Sequence, residues 1–258
     1  MQRYAHLFGR FLCLVLLFVC IFSVPSHATS DTIIDIEHTS DGYFSIYYFS
    51  DDSPKMKIGV TFDNKTVYHD YVVGETSSYA FTQGSGTYTI SIYRNIKGAL
   101  YKRIVSKKVV VELENSFSPY LISANEITFS NNDDVCKKAA EICEGLTDNA
   151  SKMAEIYSYI YTNISYDHDL AESIKSGKTK TYRPNAVNTL NVKKGICYDY
   201  SVLFAAMCRS QGIPCCVEKG YYKNIYHSWN KVYVDNLWYE IDSTTMSQYD
   251  LKNKFFIK

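Results

Sequence analysis

The sequence lacks any excess of charge: 27 Lys and Arg stand against 27 Asp and Glu in 258 residues. That balance removes the electrostatic case for nucleic acid as a partner. It also lacks a second long apolar run. The one present, Phe11 to Val24, falls short of the roughly 20 residues that span a bilayer, so no transmembrane anchor is expected. There is no CxxC pair and no Cys/His ligand spacing, which excludes the usual structural zinc patterns. What is not lacking is apolar content. At 46% hydrophobic residues the chain can bury one large or two medium cores, and a folded chain is expected.

The apolar run has a recognisable setting. Arg3 and Arg10 precede or open it, no acid occurs in the first 28 residues, and Ser26-His27-Ala28 follow it. Basic region, apolar region and small-residue cleavage site in that order read as a secretory signal peptide over residues 1–28. The exported product is expected to begin at Thr29, secreted or at the cell surface, with no transmembrane segment left. Val19 before Cys20 is too bulky for a lipoprotein cysteine. Six cysteines remain after cleavage: Cys136, Cys143, Cys197, Cys208, Cys215 and Cys216. Export permits disulfides, but a domain of this size does not require them. Cys136 and Cys143 are seven apart in a helical pattern, about 10 Å along the axis, too far to bridge each other. Three N-x-Ser/Thr triplets, at Asn64, Asn149 and Asn163, matter only in a eukaryotic secretory pathway.

Residues 29–115 alternate in short β-branched and aromatic runs: TIIDIEH, YFSIYYF, MKIGVTF, TVYHDYVV, TYTISIYR, ALYKRIV and KKVVVEL. Turns at DDSP, DN, GSG and KG separate them, which predicts an all-β, immunoglobulin-like sandwich. No nucleophile constellation lies within it. His38 and His69 have no partner at ligand spacing and read as strand or surface histidines. Residues 116–132 read as a linker. From Asp133 the period becomes helical. Asp133 or Asp134 can cap VCKKAAEICEGL, with Gly145 as a stop, and Asn149 or Ser151 can cap KMAEIYSYIYTNI. KSGKTKTYRP reads as a surface loop, and YDHDL as a solvated turn without a full metal-ligand set.

The informative stretch is KKGICYDYSVLFAAMCRSQGIP. From Cys197 to Arg209 apolar residues cover most of a helix circumference, with only Asp199 and Arg209 charged, so this helix is expected inside a core. Gly212 and Pro214 end it. Cys197 then stands at the first turn, where free N–H groups and the helix dipole favour a thiolate and can hold an oxyanion. Cys208, in mid-helix, is the inert comparison. Downstream, HSWNKVYVDNLWYEIDST reads as two strands. If Asp235-Asn236 form the turn, Val234 faces Leu237, Lys231 faces Glu240 and Trp229 faces Asp242, so His227 shares a face with Asp242 one diagonal step away. Val232, Val234, Leu237, Tyr239 and Ile241 would fill the opposite face.

G-I-C at Cys197, G-I-P after the helix, H-S-W at His227 and W-Y-E-I-D at Asp242 together resemble the transglutaminase-like superfamily, as an exported member of bacterial type. The resemblance covers about Asp133 to the C-terminus and is most specific from Thr189 to Thr245. It implies an α+β papain-like core over residues 133–258, with Cys197 as nucleophile, His227 as general base and acid, and Asp242 orienting the imidazole. It implies acyl transfer from an amide of a protein or peptide substrate, cell-envelope peptides among them, as a peptidase or amidase or as a protein-glutamine acyltransferase, with no cofactor and no metal. Ser243 departs from the proline many relatives have after the aspartate. The side chain that completes the oxyanion hole does not align, Tyr182 and Asn188 being the candidates. The rival reading is an envelope or adhesion protein whose triad is vestigial. Since Cys197, His227 and Asp242 all follow Asp133, a fragment from that residue is expected to keep the thiol's reactivity.

Overall fold

A computed structural model describes residues 30–222 and 225–244; the expected leader and cleavage site lie outside them. In the N-terminal half, alternating strands build two antiparallel sheets. The first has the order β1 (Ser30–Asp35), β2 (Tyr43–Ser50), β5 (Thr76–Ala80). The second orders β4 (Lys65–Tyr71), β3 (Met56–Phe62), β6 (Gly86–Lys97) and β7 (Leu100–Val111). Phe44, Ile46 and Tyr48 of one sheet and Ile58, Tyr88, Ile90 and Ile92 of the other join in a single buried cluster. Every second residue of β2 turns inward, as period-2 geometry requires. Asp63-Asn64, both at positive φ, make the tight β3–β4 turn.

Two strands depart from the sequence reading. TSSYA carries little β-branched signal, yet it forms β5, because pairing with β2 satisfies its backbone and Ser45 bonds Ser78 at 2.9 Å. ALYKRIV and KKVVVEL are one continuous strand, β7, whose register shifts against β6 near Tyr93 and Asn95.

The second half opens with α1 (Asp134–Ile142) and α2 (Asn149–Asn163), the latter capped by Asp148, which accepts from Ser151 N–H at 2.8 Å. The supposed turn YDHDL opens a helix, α3 (His168–Lys175), which ends where the expected surface loop begins. Asp167 caps it through Leu170 N–H and also pairs with Lys194 at 3.0 Å, which accounts for the acid-histidine cluster as a helix start. Among the described residues no group of three or more His, Cys, Asp or Glu is placed to hold a metal ion, and no helix is long and apolar enough to cross a membrane. After α4 (Ala186–Val192), the two-residue strands β8 (Ser165–Tyr166) and β9 (Lys194–Gly195) pair in parallel.

The central element is α5 (Cys197–Ser210), buried without a break from Asp199 to Arg209. It packs against α1, α2 and α4 on one side and on the other against the sheet β10 (Cys215–Tyr222), β11 (Ile225–Val234), β12 (Leu237–Ile241). Asp235 and Asn236 both take positive φ, and the register is Val234 with Leu237 and Lys231 with Glu240. Val232, Val234 and Ile241 face α5 as expected; Leu237, at the hairpin's end, is exposed instead.

Candidate functional site

The nucleophile candidate is placed by a steric constraint. At Gly195 a Cβ would stand 2.5 Å from the Asp199 Cβ, so only glycine lets the first turn of α5 fold back this closely. Asp199 uses that proximity. Its Oδ2 accepts from Ile196 N–H at 2.8 Å, and its Oδ1 accepts the Tyr182 hydroxyl at 2.7 Å. Gly195→Ala is therefore expected to destabilise the fold by about 1–3 kcal/mol and to slow alkylation of Cys197. Denaturant unfolding with a parallel labelling assay checks both.

The histidine is placed by the hairpin. A polar tie absent from the sequence reading sets helix against strand: Asn230 Nδ2 donates to Ser201 O at 2.9 Å and to Cys216 O at 3.2 Å. Ser201 lies one turn beyond Cys197 and Asn230 three residues beyond His227, so this contact fixes the spacing between the two. His227 Nε2–H donates to Asp242 Oδ2 at 2.7 Å, and the ring also hydrogen-bonds the Cys197 thiol. Burial disfavours the charged ring, but the Asp242 and Cys197 bonds outweigh it and push His227 up to about 10. Burial also works against charge on Asp242, yet the bonds from His227 and from the Thr244 hydroxyl and amide, at 2.6 and 2.9 Å, hold its carboxyl below the usual range. Thr244 in this role had no sequence signal beyond its closeness to Asp242.

The structure thus brings Cys197, His227 and Asp242 together. The other thiols differ. Cys197 is half-buried, whereas Cys136, Cys143 and Cys208 are buried and burial raises each of their pKa values; burial pushes Cys216 up to about 12. All six described cysteines are free thiols. Neither oxyanion candidate from the sequence points to the thiol: the Tyr182 hydroxyl is committed to Asp199, and Asn188 is exposed on α4.

A thiol at a helix N-terminus, hydrogen-bonded to an imidazole that a buried carboxylate holds in turn, defines the thiol-enzyme class of site. The comparisons carry this to a family. Residues 137–243 match the family model of the transglutaminase-like superfamily, and this part of the chain is a transglutaminase-like domain with the papain-like α+β core. The chain is 27% identical over 210 residues to the UPF0252 protein MJ1282 of Methanocaldococcus jannaschii, covering 73% of this chain and 58% of that protein. It is 25% identical over 134 residues to the kyphoscoliosis peptidase of Mus musculus, covering 47% of this chain and 19% of the peptidase. A cysteine-protease candidate from Cytophaga hutchinsonii of known structure shares 15% identity and a TM-score of 0.44 over 78% of each chain. This chain therefore spans less than two thirds of the length of these curated relatives.

Proposed function

We propose that the protein is an exported thiol enzyme that cleaves or transfers the acyl group of an amide through a Cys197 thioester. The observation that carries this reading is the hydrogen bonding of the His227 ring on one side to Asp242 and on the other to Cys197. The Cys197 proton passes to His227, the sulfur attacks the amide carbon, and the carbonyl pair moves to oxygen. As the intermediate collapses, His227 gives its proton to the leaving nitrogen, and the amine departs from a thioester. Water then attacks the thioester, His227 takes the water's proton, and the thiol and a carboxylic acid are restored. Hydrolysis is favoured over amine transfer because it asks for no second binding site. The organisation that goes with this reading is a signal peptide over 1–28, an immunoglobulin-like sandwich over 29–115, and the catalytic domain over 133–258. The substrate is a protein or peptide outside the cytoplasm.

The test is incubation with a panel of glutamine-containing peptides and peptides of cell-envelope type, read by mass spectrometry. Cleavage, deamidation or cross-linking that disappears in Cys197→Ala is the expected result. A panel untouched by the wild type, together with iodoacetamide labelling no faster at Cys197 than at a free thiol, sinks the proposal in favour of a binding protein.

A further inference from the structure

β6 and β7 are each 12 residues long whereas their neighbour β3 has 7, so the hairpin they form outruns its sheet. β3 pairs with β6 only as far as Met56 with Arg94, and one further bond, Asn95 N–H to Lys55 O at 2.8 Å, closes that side. Beyond it the two strands pair with each other alone, through Lys97 and Leu100, after a register shift between Asn95 and Lys97. The protruding turn is ordered. Gly98 takes a φ of 55°, and Asn95 Nδ2 donates to Gly98 O at 2.8 Å and to Leu100 O at 3.2 Å. This tip carries two bare aliphatic side chains, Ile96 at 56% and Leu100 at 63% exposure. Its charge is of one sign, since β6 and β7 hold Arg94, Lys97, Lys102, Arg103, Lys107 and Lys108 and no acid. The adjoining loop adds Lys55, Asp51 and Asp52, which makes five cations against two acids over residues 51–55 and 94–103, and Asp52 is taken up by Arg94. Lys97, Lys102 and Arg103 are exposed, with no ion pair among the described residues.

From this placement we propose that the β6–β7 hairpin docks the protein on a bilayer containing anionic lipid, with Ile96 and Leu100 entering the headgroup boundary and Lys97, Lys102 and Arg103 meeting the lipid phosphates. Charge complementarity selects the anionic surface, because the cations around the tip have no acids left to satisfy them. The aliphatic pair selects a bilayer over a soluble polyanion, which would engage the cations and leave Ile96 and Leu100 in water. β7 is also the edge of its sheet, and cations on an edge strand can serve to repel a second strand. That role has no use for bare aliphatics at the same turn. Single apolar side chains are ordinary on a surface, but two on one protruding turn flanked by lysine and arginine give the apolar tip and basic collar of an interfacial element. Docking of this kind is peripheral and does not depend on the acyl-transfer reading.

The test is sedimentation of the exported protein, from Thr29, with vesicles of phosphatidylcholine alone and of phosphatidylcholine mixed with phosphatidylglycerol. Wild type is expected to pellet with the mixed vesicles, less so at high salt, and to stay in solution with the neutral ones. Lys102→Gln with Arg103→Gln is expected to weaken binding by about 30-fold, at about fivefold for each cation removed from the surface. Ile96→Asn with Leu100→Asn is expected to weaken it by about tenfold, with thermal melting unchanged. Ala99→Glu, which puts an acid at the turn without removing any packing, is expected to weaken it as well and keeps the test open if the asparagine pair melts early. Failure of wild type to pellet with the mixed vesicles overturns the proposal, as does wild-type binding by Ala99→Glu. Binding that is lost in the glutamine pair but kept in a folded asparagine pair also overturns it, and would mark the tip as a site for a soluble polyanion.

Discussion

His227→Ala is expected to abolish turnover, with a loss of about 10⁶-fold, and Asp242→Asn to cost about 10⁴-fold. The ordering follows from the geometry. His227 is the group in contact with the Cys197 thiol and in the proposed reaction moves protons at both steps, whereas Asp242 reaches the thiol only through the ring. The same contact predicts a spectator signature independent of substrate. With the ring held protonated up to about 10, a cation stands beside the Cys197 sulfur and wild-type alkylation is expected to be fast. In His227→Ala that neighbour is gone, and alkylation at the same pH is expected to be slower. Alkylation rate against pH, with circular dichroism to show both proteins folded, decides it: coincident profiles would mean that His227 and Cys197 are uncoupled.

Stability should carry the same pairing with a defined sign. His227 is raised above its ordinary 6.5, so its contribution is complete below 6.5 and is lost as pH climbs toward about 10. Asp242 is lowered below its ordinary 3.8, so its contribution is present above 3.8 and is lost as pH falls through the lowered value. The stability gap between wild type and Asp242→Asn is therefore widest between 3.8 and 6.5.

How much of this site could be read from residues alone depends on how local the determining physics is. The Asp235-Asn236 turn fixes register within the hairpin, so the shared face of His227 and Asp242 followed from residue spacing. The place of Cys197 at a helix start followed from Gly195 and from the apolar run behind it. What stayed hidden depends on partners far along the chain. Asn230 reads as a strand residue of low propensity until its amide is seen on Ser201 O, 29 residues away. The β5 strand escaped because TSSYA is polar, and α3 because its capping aspartate resembled a solvated turn.

The segment 116–132 is the place where a local reading and the structure lead to opposite experiments. Its composition is that of a linker, but its side chains and carbonyls are bound on both flanks. Ile127 is 2% exposed within the core around α5, and Phe129 packs against that core. The Arg209 guanidinium, 4% exposed, donates through Nη1 to Ile122 O at 2.5 Å and through Nε to Cys215 O at 2.8 Å. Glu126 accepts from Lys219 at 3.0 Å, and Lys219 also donates to the hydroxyl of Tyr198, the residue after Cys197. Phe117 packs at a tilt on Tyr233, and Tyr120 edge-on to Trp238, both of the hairpin that carries His227. The segment also holds the N-terminal sheets, through Asn125 N–H to Ser78 O at 2.8 Å, Ala80 N–H to Asn125 Oδ1 at 3.4 Å and the Tyr120 hydroxyl to Thr82 O at 2.7 Å. A fragment beginning at Asp133 leaves a buried guanidinium short of an acceptor, about 1–3 kcal/mol, and forfeits the burial of Ile127, about 1.5–3 kcal/mol. Together these are a large share of the 5–15 kcal/mol typical of a domain. That fragment is therefore expected to lose cooperative unfolding and the selective labelling of Cys197, against the simple expectation from residue order. A fragment beginning at Asn115 keeps the segment and is expected to retain both. Thermal melting and iodoacetamide mapping of the two fragments beside the full chain read the outcome. A fragment from Asp133 that melts and labels as the full chain does would show that the segment is a passive tether.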